Sequence, residues 1–183
     1  MGSKKYEIRR RYDATAKQYD SRYLEIQTTK YQELFSEIKI KSSDIILDVG
    51  GGTGLLLDFL KENSSNVICC DISFNMLKIG KKKHTRGNFI CADSDFLPFR
   101  EEGFDKVFCI SVLNNLPKYH KTMVEMNFLL HKKGKLVLTA LTKIFSKVKI
   151  EELILNANFA ILKLWKLSIE DIAVLAKKNK KKE

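Results

Sequence analysis

Proline is nearly absent: the chain of 183 residues holds two, Pro98 and Pro117. That scarcity excludes a proline-rich linker. Neither repeats nor a low-complexity block interrupts residues 5–177, so one folded unit is expected. No uninterrupted apolar run approaches the roughly 18 residues that a bilayer span requires. The opening stretch MGSKKYEIRRRYD has no apolar centre, which argues against a secretory leader and makes the cytoplasm the expected compartment. Histidine is scarce as well. His84, His120 and His131 are expected on the surface or on helices, outside any motif, and no metal site is assigned. Cys69, Cys70, Cys91 and Cys109 lack the two-residue gap of a metal knuckle and lie in apolar runs, so buried free thiols are expected.

What is plentiful is positive charge. The formal net charge is +11, and the pI is near 9.4. Much of it sits in Arg9-Arg10-Arg11, in Lys81-Lys82-Lys83 and in the tail KKNKKKE at 177–183. Such clusters are the footprint of a nucleic-acid or anionic partner, or equally of a solvated, solubilising surface. The remaining balance, 44% hydrophobic and 30% charged, is that of an ordinary globular chain.

Periodicity divides the chain into alternating elements. A helix is expected over Tyr6–Tyr19, and Tyr31, Leu34, Phe35 and Ile38 follow helical spacing in a second. Together these make residues 1–40 a helical cap on a core at 44–177, with 178–183 as a basic tail. Strands are expected over Ile45–Val49, Val67–Cys70, Phe89–Cys91, Asp105–Ile110 and Lys135–Leu141. Helices follow at Leu55–Leu60, at Ser73 to about Lys82 with Ser73 as N-cap, at Lys118–His131 and at Lys147–Ala157. Phe159–Leu164 and Asp171–Ala176 close as a hairpin. The alternation predicts a doubly wound, Rossmann-like α/β fold. Its seven-stranded sheet should be mostly parallel, with one antiparallel strand near the C-terminus and helices on both faces.

The stretch ILDVGGGTG at 46–54 falls where such a sheet binds ligands, at the carboxyl end of its first strand. A phosphate-cradling Walker loop needs Gly-Lys-Ser/Thr, yet Gly54 is followed by three leucines. The dinucleotide spacing G-x-G-x-x-G fails from every starting glycine. The spacing present is Gly50, Gly52, Gly54, preceded by Asp48. Glycine there lets the backbone approach a ligand closely. Asp71 ends the next strand about 20 residues on, where a carboxylate accepts from both hydroxyls of a ribose.

In that order these residues resemble the first two motifs of class I S-adenosylmethionine-dependent methyltransferases. The later motifs match too: CADSDFLPF at 91–99, FDKVFCISVLNNL at 104–116 and LLHKKGKLVLTAL at 129–141. RYDATAKQYD at 11–20 is similar to the entry helix of the ubiquinone/menaquinone-biosynthesis branch. The resemblance implies S-adenosylmethionine as cofactor and assigns roles around it. Gly50, Gly52 and Gly54 would pass beneath the methionine part and the ribose, and Asp48 would orient the turn. Asp71 would hold the ribose diol, and Ile72 and Met76 would sandwich the adenine. Asp93 and Ser94 would read the adenine edge, and the backbone at Ile110 and Ser111 would face the amino group. Tyr12 and Tyr19 would close over the site.

On the acceptor side, Asn114 and Asn115 at the end of the fourth strand are the polar residues best placed to touch substrate, or else they cap the following helix; Tyr19 is a third candidate. No side chain has the setting of a general base. Asn115-Leu116-Pro117-Lys118 lacks the first proline and the aromatic of base-nitrogen methyltransferases, and Cys109 lacks the setting of a cytosine nucleophile. Only about Thr142–Ser146 separate the fifth strand from the next helix, where relatives with small substrates insert a lid. An open site and basic ends favour RNA or a protein as acceptor, with RNA reached through the basic termini and a small activator subunit as possible partner. The alternatives are a small acceptor such as a quinone precursor, or a module that binds the cofactor without turnover.

Overall fold

The structure, a computed structural model, describes residues 3–60 and 66–179. It opens on α1, Ser3–Glu37, one continuous helix of 35 residues in place of the two expected. The reason lies in the sequence: no glycine or proline occurs between Ser3 and Ile40, so nothing breaks the helix between the two amphipathic segments.

The remaining elements are β1 (Ile46–Val49), α2 (Leu55–Phe59), β2 (Val67–Asp71), α3 (Phe74–Lys83), β3 (Asn88–Cys91), β4 (Phe104–Ile110), α4 (His120–Leu129), β5 (Leu130–Leu141), α5 (Lys147–Asn156), β6 (Phe159–Lys166) and β7 (Asp171–Lys178). They build one seven-stranded sheet in the order β3-β2-β1-β4-β5-β7-β6. β7 pairs antiparallel with both β5 and β6, and the other pairings are parallel, as expected. Strand order reverses between β1 and β4, so the ligand crevice of such a sheet opens at their carboxyl ends.

Side chains alternate between two buried layers, as the pleat requires. Leu47, Val107, Cys109, Leu136 and Leu138 face Met123 and Met126 of α4 and Ile150 and Ile154 of α5. Ile46, Cys69, Phe108, Ile110 and Val137 face Leu34 of α1, Leu56 of α2 and Leu77 of α3. Asp48 stands in β1 between Leu47 and Val49 and is buried.

Three details depart from the sequence reading. β5 starts at Leu130 rather than Lys135, directly after α4, with a register irregularity opposite Phe104–Lys106. His131 is therefore a strand residue, and its Nε2 lies 2.6 Å from Asp105 Oδ1. Cys91 is exposed while Cys69, Cys70 and Cys109 are buried, because β3 is an edge strand with one side uncovered. Lys178, expected in the basic tail, ends β7 and donates to the Leu130 carbonyl at 2.8 Å; residues 180–183 lie outside the described residues.

Candidate functional site

A cavity of about 440 Å³ lies at the switch point, between the carboxyl ends of β1, β2 and β4 and the inner face of α1. The glycine turn forms its floor. Gly50 and Gly52 adopt φ of 74° and 56°, a backbone that only glycine takes without strain. A Cβ on Gly52 would come within 2.9 Å of Met76 Cε and 3.9 Å of an Asp71 oxygen, so a side chain would fill the cradle itself.

Gly51, the one glycine of the run with no role assigned from sequence, has a steric reason of its own. A Cβ there would lie 2.4 Å from Asp48 Oδ2 and 2.5 Å from Cys69 Sγ. Asp48 thus underlies the turn, as an orienting residue would, and does not line the cavity. Gly54 does not line it either; it enters α2 with φ of 78° and packs toward Phe89 and His84.

Asp71 is fixed by backbone donors: Gly52 N–H donates to Oδ2 at 3.0 Å and Ser73 N–H to Oδ1 at 2.7 Å. Each oxygen keeps a lone pair for a further donor. Burial pushes the Asp71 carboxyl up to about 6, against the lowering effect of those backbone hydrogen bonds. Burial, with the Asp71 charge added, pushes Asp48 up to about 7. Two neighbouring buried carboxylates titrate as a coupled pair.

Ile72, Met76, Asp93, Ser94, Ile110 and Ser111 also line the cavity, as do Tyr12, Tyr19, Asn114 and Asn115. Ser94 Oγ and Thr122 Oγ1 are 3.0 Å apart. Ser111 sits at φ 62°, left-handed for a residue with a side chain, and its N–H donates to Thr139 Oγ1 at 3.0 Å. Asn114 and Asn115 do not cap α4, which has no side-chain cap. Asn114 Oδ1 accepts from Leu141 N–H at 2.9 Å, and Asn115 Oδ1 accepts from Arg11 at 2.8 Å. Burial raises the Tyr12 and Tyr19 hydroxyls above their ordinary value, so both stay protonated near neutrality.

The short β5–α5 segment suggested an open site, but α1 supplies a wall from the start of the chain instead. The two aspartates of RYDATAKQYD, given no role from sequence, fasten that wall. Asp13 Oδ1 accepts from Ser73 Oγ at 2.6 Å and from Asn75 N–H at 3.1 Å, at the N-terminus of α3, where a carboxylate is favoured. Asp20 accepts from Thr53 in the glycine turn and pairs with Lys83 at 2.8 Å. Lys5 reaches both Asp93 and Asp95.

A family model described as a methyltransferase domain matches residues 47–138, spanning the glycine turn to β5. The chain belongs to this methyltransferase family. Among its relatives, an uncharacterised protein of Methanocaldococcus jannaschii is 33% identical, over 87% of this chain and 59% of the relative. A demethylmenaquinone methyltransferase of Paenarthrobacter aurescens is 29% identical, over 61% of this chain and 45% of the relative. The chain spans about half the length of the curated relatives it matches. In fold it is similar to a chain from the complex between the Haloferax volcanii Trm112 methyltransferase activator and a methyltransferase. That match has a TM-score of 0.82 and 14% identity, over 92% of this chain and 98% of the other. Several relatives are named as demethylmenaquinone or ubiquinone/menaquinone methyltransferases, in keeping with the branch expected from the ordered motifs, and S-adenosylmethionine is the cofactor of this methyltransferase domain.

Among the described residues, no group of three or more His, Cys, Asp or Glu is arranged to hold a metal ion, and no helix is long and apolar enough to cross a membrane.

Proposed function

We propose that this methyltransferase domain transfers a methyl group from S-adenosylmethionine to a small-molecule acceptor. The observation that supports the reading is the wall of α1, whose Tyr12, Tyr19, Tyr23 and Ile26 close in the cavity beside the residues assigned to the cofactor. The residues fit the cofactor: Gly52 leaves a cradle that a Cβ would fill, and Asp71 keeps acceptor capacity on both oxygens. When bound, the cofactor supplies an electrophilic methyl on a sulfonium that departs as a neutral sulfide.

The chain's own contribution is binding and alignment. Asp71 would accept from the ribose hydroxyls, Ile72 and Met76 would flank the adenine, and Asp93 and Ser94 would meet its edge. The backbone of Ile110 and Ser111 would face the cofactor's amino group, while Asp48 holds the turn from below. Tyr12 and Tyr19 exclude water on the α1 side and act as neutral donors rather than bases.

A second reading, RNA or a protein as acceptor with an activator subunit, draws on the fold match to a methyltransferase complexed with Trm112. Against it, the N-terminal arginines are engaged within the chain: Arg9 pairs with Asp13 and Arg11 with Asn115. Labelling a cell extract with methyl-radioactive cofactor, then separating RNA, protein and small molecules, tests the choice. Label in the small-molecule fraction is expected. Label confined to RNA or protein would favour the second reading, and cofactor binding without any labelling would leave a non-catalytic module.

A further inference from the structure

Ser111 holds a left-handed backbone just past the end of β4, with φ of 62°, and each of its three polar groups has its own anchor. Its N–H donates to Thr139 Oγ1 at 3.0 Å, and its carbonyl accepts from Asn115 Nδ2 at 3.3 Å. The third anchor comes from α1: Lys30 Nζ donates to Ser111 Oγ at 2.7 Å, across 81 residues of chain. Lys30 is itself held by Asp171 Oδ2 at 2.8 Å, and the two side chains are only 5% and 2% exposed. Asp171 opens β7 and pairs in register with Leu141 of β5.

A buried ion pair is a poor fastener of helix to sheet, because desolvating two charges offsets most of their attraction. Apolar packing of Tyr31 and Leu34 already seats this part of α1. What Lys30 adds is direction. A left-handed backbone is strained in a residue with a side chain and persists only where its surroundings hold it. That backbone fixes where the Ser111 carbonyl points, and a carbonyl oxygen has two lone pairs. Asn115 takes one of them, and among the described residues no other donor reaches that oxygen. Ser111 and Lys30 both line the cavity, so the second lone pair is available to a donor bound there.

We propose that Lys30 is a positioning residue for the cofactor: by holding Ser111 Oγ it aims the Ser111 carbonyl at the amino group of S-adenosylmethionine, which rests on the proposed reading that places the Ser111 backbone at that group. Lys30 reaches Ser111 while its ammonium is fixed by Asp171 of β7. Binding of the amino-acid end of the cofactor therefore depends on α1 being seated against the sheet.

Calorimetry on the full chain tests it with two probes: S-adenosylhomocysteine, and its deaminated analogue, in which hydrogen replaces the amino group and the carboxylate is kept. The wild-type chain is expected to bind the amino-bearing compound about tenfold more tightly, as for one hydrogen bond to a charged group. Lys30→Met combined with Asp171→Asn removes the anchor without stranding a buried carboxylate. It is expected to abolish most of that preference while the analogue binds as before. Ser111→Ala deletes only the accepting oxygen and leaves the ion pair in place. It is expected to do the same, and it decides the matter if the double variant does not fold. A merely structural role would weaken both compounds equally. Equal weakening, or a preference that survives in either folded variant, would overturn this inference alone. A wild-type chain that binds both compounds alike would overturn it together with the placement of Ser111 at the amino group. A wild-type chain that binds neither would overturn the cofactor reading as well.

Discussion

Lys5, in the first turns of α1, donates from its ammonium to the carboxylate of Asp93 across 88 residues of chain. Asp93 Oδ1 takes both this contact and the Asp95 N–H at 2.9 Å, which leaves Oδ2 for another donor. One lysine thus ties the beginning of α1 to the loop expected at the adenine edge, and orients the residue that would read it.

Lys5→Met removes the cation and leaves Asp93 and Asp95 facing each other, both partly buried. Breaking a partly buried charge network of this kind costs about 1–3 kcal/mol. Urea denaturation should show that loss, and limited proteolysis should cut the first half of α1 faster than in the wild-type chain. Unchanged proteolysis would mean that Asp13 and Asp20 hold the helix without help.

Gly51→Ala forces a Cβ against Asp48 and Cys69, with no positive φ to complicate the effect. Overpacking at such a site costs about 1–3 kcal/mol. Asp48→Ala in the same chain opens the space, so the double variant should lose less stability than the two single losses summed. Strict additivity in chemical denaturation would show that the Asp48 carboxylate does not sit under the turn.

The coupled carboxylates make cofactor binding depend on pH. Asp71 and Asp48, raised to about 6 and about 7, bind protons more tightly folded than unfolded. The free chain should therefore lose stability as pH rises from about 4, the ordinary carboxylate value, to about 7. Ribose hydroxyls and a sulfonium favour the ionised carboxylates, so binding should release protons, and affinity should climb over about pH 5–7 and then level. Calorimetry in buffers of different ionisation enthalpy measures that release. Asp71→Asn should leave a single proton-linked step, that of Asp48, whereas affinity flat across the range in the wild-type chain would contradict the placement of Asp71 at the ligand.

Much of this was legible from residues alone because it is local. Ser73 was readable as an N-cap, and its hydroxyl accepts from Met76 N–H at 3.3 Å. The alternation of short apolar runs with helical segments gave the sheet and its antiparallel strand. What escaped depends on contacts distant in sequence. Lys30 reads as an ordinary polar residue of a helix; its ammonium is held by Ser111 and Asp171, which are 81 and 141 residues away. Asp13 and Asp20 lay inside a recognised motif, yet their roles as fasteners need α3 and the glycine turn to be in place. Gly51 stands outside the spacing pattern, which counts the glycines that touch ligand and not the one that makes room for Asp48. The continuity of α1 is legible in the sequence too, since no glycine or proline interrupts residues 3–40.

The central claim is that Asp71 and the glycine turn hold S-adenosylmethionine at the ends of β1 and β2. Titrating that compound, and NADH in parallel, into the wild-type chain and Asp71→Ala by calorimetry tests it directly. The expected result is binding of S-adenosylmethionine but not NADH, weakened by about 10–100-fold in Asp71→Ala as charge-assisted hydrogen bonds are lost, with the circular dichroism unchanged. Equal affinity in both proteins, or binding of NADH instead, would contradict it.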